Sequence, residues 1–199
     1  MLQVMDSVLL IGDRSSRLSV LNRALNEFGY EVIERQEQNE DLLTLVSSLL
    51  PDILVIGLDK PAPSLLEKLA LISKASPLPV VMFVEQTTEN IVQQAIRSGV
   101  NAYIVADLQP QRLKTIIDVA VARFQEYQSL KDELVQTRSR LEDRKILDRA
   151  KGLLMTRQGI SEDLAYKKLR KMAMDNGKTV AAVARNVIDV FNMLEEKTS

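Results

Sequence analysis

Residues 51–61 read PDILVIGLDKP. The apolar run Ile53–Ile56 is too short for a helix and shows no polar alternation, which is the pattern of a strand covered on both faces. Upstream, Leu42, Leu43, Val46, Leu49 and Leu50 recur at helical spacing and stop before Pro51. Downstream, Leu65, Leu66, Leu69 and Ile72 mark another helix, and Val80–Val84 is another buried-type strand. Further out, Val8–Ile11 reads as a strand, followed by a helix through Leu18, Leu21, Leu25 and Phe28 that ends at Gly29. Val32–Ile33 is a weak strand. Ile91, Ala95 and Ile96 mark a helix ending at Gly99, and Ala102–Val105 is a fifth strand. Five β–α units with near-continuous apolar strands predict an α/β domain, flavodoxin-like, whose five-stranded parallel sheet is covered by helices on both faces. Chemistry in such a sheet belongs beyond the carboxyl ends of the strands.

From Gln111 the pattern changes. No Pro follows Pro110, and no Gly lies between Gly99 and Gly152. Leu113, Ala120, Tyr127, Leu134 and Leu141 recur every seven residues, with Ile116 and Leu130 at intermediate seam positions that Arg123 and Thr137 interrupt. One long helix is expected, and its stripe favours a coiled coil between two copies of the chain, with a solvated connector as the alternative. Three helical pieces then close a small bundle. The first ends near Gln158–Gly159. The second is capped by Ser161, carries Glu162 and Asp163 in its first turn and buries Ala165, Leu169, Met172 and Ala173. The third starts at Thr179 and buries Val180, Val183, Ala184, Val187, Ile188 and Phe191. The expected domains are 1–122, a linker helix over 111–145 that overlaps the last helix of the first domain, and 140–196.

Composition narrows the chemistry. The 199 residues are 46% apolar and 27% charged, with no Cys and no His. Disulfides, thiolate nucleophiles, the usual zinc ligand sets and histidine acid–base catalysis are therefore excluded. No cluster supplies a nucleophile with its base, so the chain is not read as an enzyme, and no cofactor is called for. No apolar run approaches the roughly 18–20 residues of a membrane span. Met1 to Ser7 lacks a signal-peptide pattern, which points to the cytoplasm. The net charge of −1 hides an asymmetry: residues 1–110 carry a net −6, residues 111–199 a net +5, and residues 144–185 alone a net +7. The last figure marks a possible footprint for a polyanion, or simply a solvated face. On the second helix of the bundle, Lys167, Arg170 and Lys171 share a face by i, i+3, i+4 spacing. Arg144 and Lys151 lie two turns apart on the first helix, and Arg157 and Lys178 flank the turns. Tyr166 is the aromatic candidate for packing near a base, with a core position as its alternative.

The stretches VLLIGD, PDILVIGLDKP, VVMFV and GVNAYIVAD resemble the receiver domain of two-component response regulators, over about residues 6–125. The resemblance implies an acidic pair after the first strand, a phosphorylatable Asp after the third, a hydroxyl after the fourth and a Lys after the fifth. Here those positions hold Gly12–Asp13, Gly57, Val84 and Ala106. Gly57 has no carboxylate to phosphorylate, and Asp13 alone cannot assemble a magnesium cluster. Asp59, two residues on, is the only rescue candidate for a phosphoacceptor, and its favoured reading is a solvated loop carboxylate. The expectation is a pseudo-receiver controlled by a protein contact or an unrecognised small ligand.

Ala150-Lys151-Gly152, Leu154-Met155, Ser161-Glu162, Ala165-Tyr166, Leu169-Arg170, Ala173-Met174 and Val183-Ala184 resemble, in order and spacing, the ANTAR domain, a three-helix RNA-binding module. The order receiver, coiled coil, ANTAR resembles transcription antiterminators of the NasT/AmiR type. That resemblance implies binding to hairpins in a nascent leader mRNA, which keeps a terminator from forming while RNA polymerase transcribes. It also implies control by a ligand-sensing partner protein of the nitrate-sensor type, and nitrate or nitrite assimilation genes as targets. Arg144, Lys151, Arg157, Tyr166, Lys167, Arg170, Lys171 and Lys178 are the expected RNA-binding residues. A DNA-binding orphan response regulator is the alternative, since a basic three-helix module can place one helix in a major groove. An adaptor whose basic face docks an acidic protein is a third reading.

Overall fold

The computed structural model describes residues 6–13, 16–36, 41–105 and 109–196. The chain divides into two units, residues 1–128 and 129–199.

The first unit is a five-stranded parallel sheet in the order β2-β1-β3-β4-β5. Its strands are β1 (Ser7–Gly12), β2 (Glu31–Gln36), β3 (Ile53–Leu58), β4 (Val80–Val84) and β5 (Ala102–Val105). The helices between them are α1 (Ser16–Glu27), α2 (Leu42–Leu49), α3 (Pro63–Ala75) and α4 (Glu89–Arg97). Strands β3 and β4 are buried along their whole length. Alternate residues of one strand feed opposite cores. Leu54, Ile56 and Leu58 of β3 pack with α2, α3 and α4, while Ile53 and Val55 pack with α1 and the start of α5 (Pro110–Gln158). This is the doubly wound arrangement expected from the PDILVIGLDKP stretch.

Three local expectations change. Strand β2 is six residues long because its whole length pairs with β1, from Ser7 opposite Glu31 to Gly12 opposite Gln36. It is an edge strand, and its partly exposed polar residues disguise it in the sequence. Ile96 is 60% exposed, and Ala95 carries the burial of α4 instead. The heptad stripe of α5 has two fates. Leu113 and Ala120 are buried in the core of the first unit together with Ile117, whereas Tyr127, Leu130, Leu134 and Leu141 are exposed.

The second unit holds the C-terminal part of α5 with α6 (Glu162–Asp175) and α7 (Val180–Glu196). Its core is Ala150 and Leu154 from α5, Ala165, Leu169 and Ala173 from α6, and Val183, Ala184, Val187 and Ile188 from α7. The small residues at the contacts, Ala150, Ala165 and Ala184, are fully buried and let the helix backbones approach closely. No helix among the described residues is long and apolar enough to cross a membrane.

Candidate nucleic-acid interface

Helix α6 is fixed at both ends and on one side. The Ser161 hydroxyl accepts from the Leu164 amide, 3.4 Å away, and so caps the N-terminus. Thr179 does the same for α7, accepting from Ala182 at 3.2 Å. The chain turns out of α6 at Gly177, whose φ of +60° lies in the left-handed region.

Residues four apart in a helix form rows, and adjacent rows are turned by about 100°. In α6 the row Ala165, Leu169, Ala173 is buried. The next row, Tyr166, Arg170, Met174, is exposed, with Tyr166 at 42% and Met174 at 73%. Beyond it lies the exposed row Lys167, Lys171. On the other flank stand Leu164, Lys168 and Met172, and Lys168 Nζ donates to Gln158 Oε1 at 2.6 Å. Met172 was expected in the core. It belongs to this flank row, about 100° from the buried one, and is 42% exposed. The outer surface of α6 therefore presents one aromatic ring, one guanidinium, two ammonium groups and a thioether on a rigid base. Met174 belongs to this surface although its apolar side chain suggests a core position.

The remaining candidates separate. Arg144, Arg157 and Lys178 are exposed. Lys151, by contrast, is paired within the chain. Its ammonium lies 2.8 Å from Asp148 and 2.6 Å from Glu162, and only 15% of the side chain is exposed. The hydrogen bond that the ammonium donates to Asp148, then the one it donates to Glu162, holds it above its ordinary pKa. The same bond with Lys151 draws the Asp148 carboxyl below the usual carboxylate range. Lys151 thus ties α5 to the first turn of α6. Arg185 of α7 likewise reaches Asp143 of α5 at 2.7 Å.

At the carboxyl ends of β1, β3 and β4, the degenerate positions Asp13, Gly57 and Val84 meet a different environment. Gly12 pairs with Gly57 across the strands. A β-carbon at position 12 would collide with the Gly57 carbonyl oxygen. At position 57 it would come within 2.7 Å of Leu21 Cδ1 and lie 3.9 Å from the Arg17 stem. Side chains of α1 thus fill the volume that a phosphoacceptor would need. Arg17 Nη2 donates to Glu85 Oε1 at 2.9 Å, with the Arg17 side chain only 10% exposed. Glu85 directly follows Val84, which is buried. Asp13 Oδ2 accepts the Asp59 amide at 3.2 Å. Asp13 Oδ1 and Arg17 Nε and Nη1 are buried without a hydrogen-bond partner among the described residues. Ala106 lies outside the described residues. The donor set does not fit a divalent cation: positions 12 and 57 offer no side chain, one oxygen of Asp13 holds a backbone amide, and Arg17 brings a positive charge to the Gly57 position.

Comparison with known proteins agrees with both halves. The response regulator receiver domain family matches residues 8–118, and the ANTAR domain family matches residues 135–188. The chain belongs to the response regulators that join a receiver domain to an ANTAR domain. It is 30% identical over 184 residues to the transcriptional regulatory protein PdtaR of Mycobacterium tuberculosis, covering 92% of this chain and 90% of that one. It is 36% identical over 77 residues to the nitrate regulatory protein of Klebsiella oxytoca, covering 39% of this chain and 19% of that one. Among solved structures, the signal receiver domain of a modulated diguanylate cyclase from Desulfovibrio desulfuricans G20 superposes with a TM-score of 0.54. At 20% identity over 62% of this chain and 98% of that one, it attests the fold of the first unit.

Proposed function

We propose that the protein is an RNA-binding transcription antiterminator whose α6 surface grips hairpins in a nascent leader transcript and keeps a terminator from forming. The observation that carries this reading is the paired rows Tyr166, Arg170, Met174 and Lys167, Lys171, exposed on a helix anchored by Leu169 in the core. Cations at this spacing meet phosphates, and the tyrosine ring and guanidinium offer flat faces to unstacked loop bases. Arg144, Arg157 and Lys178 extend the positive field around it. Lys151 acts by positioning α6. The family match and the likeness to a mycobacterial transcriptional regulator support the assignment to transcription control.

In this reading the receiver does not take a phosphoryl group. Leu21 and Arg17 fill the space at Gly57, and Arg17 spends its charge on Glu85. A ligand-sensing partner protein supplies the switch, as a nitrate sensor would. The likeness to a nitrate regulatory protein over 77 residues supports nitrate or nitrite assimilation genes as targets. The exposed stripe Tyr127, Leu130, Leu134, Leu141 of α5 pairs with the same stripe of a second copy, so the working form is a homodimer in the cytoplasm. The transcript is engaged as it leaves RNA polymerase.

The test is binding of the full chain to an RNA with two stem-loops, to duplex DNA of the same sequence and to a scrambled RNA, across a range of salt. Preference for the stem-loop RNA is expected. Equal affinity for all three would leave only a nonspecific basic surface, and preference for the duplex DNA would establish the DNA-binding alternative.

A further inference from the structure

The second unit carries another basic feature, away from the outer rows of α6. An open groove runs between the C-terminal part of α5 and α7, lined by Lys145, Ile146, Arg149, Arg185, Ile188 and Asp189. Lys151 faces α6 through Glu162. Arg149, two residues earlier, points about 200° away around the same helix, toward α7. The groove therefore lies on the side of α5 turned away from the Lys151–Glu162 contact.

We infer that this groove is a second RNA contact that grips the sugar–phosphate backbone of a stem, a proposal that rests on the RNA-binding reading above. Its composition argues for backbone rather than bases. The groove holds Lys145 and Arg149 beside Arg185, which is paired with Asp143, one lining carboxylate, Asp189, and no aromatic ring on which a base can stack. Lys145 and Arg149 are one turn apart, about 6 Å along the axis, close to the spacing of neighbouring phosphates on one strand. Both are exposed and neither is in an ion pair among the described residues. Arg185 is held in place by Asp143 at 2.7 Å. The floor is rigid, since Ile188 is buried in the core and Ile146 packs against it. Cations on a firm apolar floor bind a polyanion with little loss of side-chain freedom. One unit would then hold a stem by its backbone in the groove and a loop by its bases on α6.

The experiment compares the full chain with two multiple variants, Lys145→Ala/Arg149→Ala in the groove and Lys167→Ala/Arg170→Ala/Lys171→Ala on α6. The probes are a two-stem-loop RNA and a blunt RNA duplex of the stem sequence alone. The groove variant should weaken both probes by a similar factor, on the order of tenfold. It should also flatten the salt dependence by about one unit per cation removed. The α6 variant should mainly lose the advantage of the stem-loop over the plain duplex. Asp189→Asn, which removes the groove's carboxylate, should tighten both probes, and a misfolded protein would not give that gain. Wild-type affinity and salt slope in the groove variant overturn the inference while the α6 result keeps the RNA-binding reading. A loss confined to the stem-loop probe overturns the backbone assignment. Failure of the wild type to bind either RNA overturns the reading itself.

Discussion

The carboxyl ends of β1 and β3 and the outer surface of α6 are both places where this fold gathers charge, and they use it in opposite ways. In the first, Arg17 is nearly buried and paired with Glu85, and Asp13 holds the Asp59 amide. The charges there are turned inward and partly paired within the chain, and Leu21 occupies the volume in front of Gly57. On α6, Arg170, Lys167 and Lys171 stand exposed on a helix that other groups hold in place. Interactions that fix structure, such as Lys151 with Asp148 and Glu162, lie to the side. A charged residue becomes a candidate for function when the fold leaves it unneutralised on a rigid support, and a candidate for architecture when the fold has already paired it.

That contrast can be broken at several points. The support of α6 is tested most severely by Leu169→Ala, which empties a fully buried position. It should cost about 2–5 kcal/mol, read as lost stability of the second unit in thermal or denaturant unfolding, with RNA binding falling alongside. Lys167→Ala/Arg170→Ala/Lys171→Ala separates support from contact: RNA affinity should fall on the order of a hundredfold while the melting temperature holds, since surface changes usually shift stability little. At the receiver crest, Gly57→Asp should destabilise by about 1–3 kcal/mol, because its β-carbon meets Leu21. It should also fail to gain stable phosphorylation from acetyl phosphate and magnesium, as judged by intact mass. Robust aspartyl phosphate on that variant would show that the filled volume is not what silences the site.

The smallest effect is the pH response of the Lys151 tie. The raised Lys151 contributes stability that is complete below its ordinary pKa and is lost as pH rises through the folded value. The lowered Asp148 contributes above its ordinary pKa, and that contribution is lost as pH falls through the folded value. The melting temperature of the wild type should therefore exceed that of Lys151→Met slightly through the neutral range, and the two should converge in strong acid and strong base. A difference that does not change with pH would mean that Lys151 acts through packing of its stem.

The fold was legible wherever a single segment carried its own signal. Ile53–Ile56 and Val80–Val84 are continuous because both faces of the sheet are covered, and Ser161 and Thr179 announce helix starts by their own hydroxyls. Strand β2 was only half visible, since an edge strand alternates with polar residues. The candidate site was legible in its rows but not in its pairings. Nothing local to Lys151 signals that Glu162, eleven residues on and beyond a turn, takes its charge. Still larger distances in sequence hid Arg17 with Glu85, 68 residues apart, and the groove that α5 and α7 build together. Sequence showed that a carboxylate is missing at Gly12 and Gly57. Only the structure shows that the Gly57 carbonyl and Leu21 fill the vacated space.

The most direct test of the contrast is the dissociation constant of a two-stem-loop RNA for the full chain and for Lys167→Ala/Arg170→Ala/Lys171→Ala, each with and without magnesium and beryllofluoride. A loss on the order of a hundredfold is expected between wild type and variant, and no change in either on adding beryllofluoride. Wild-type affinity in the variant, or a magnesium-dependent shift on adding beryllofluoride, would contradict it.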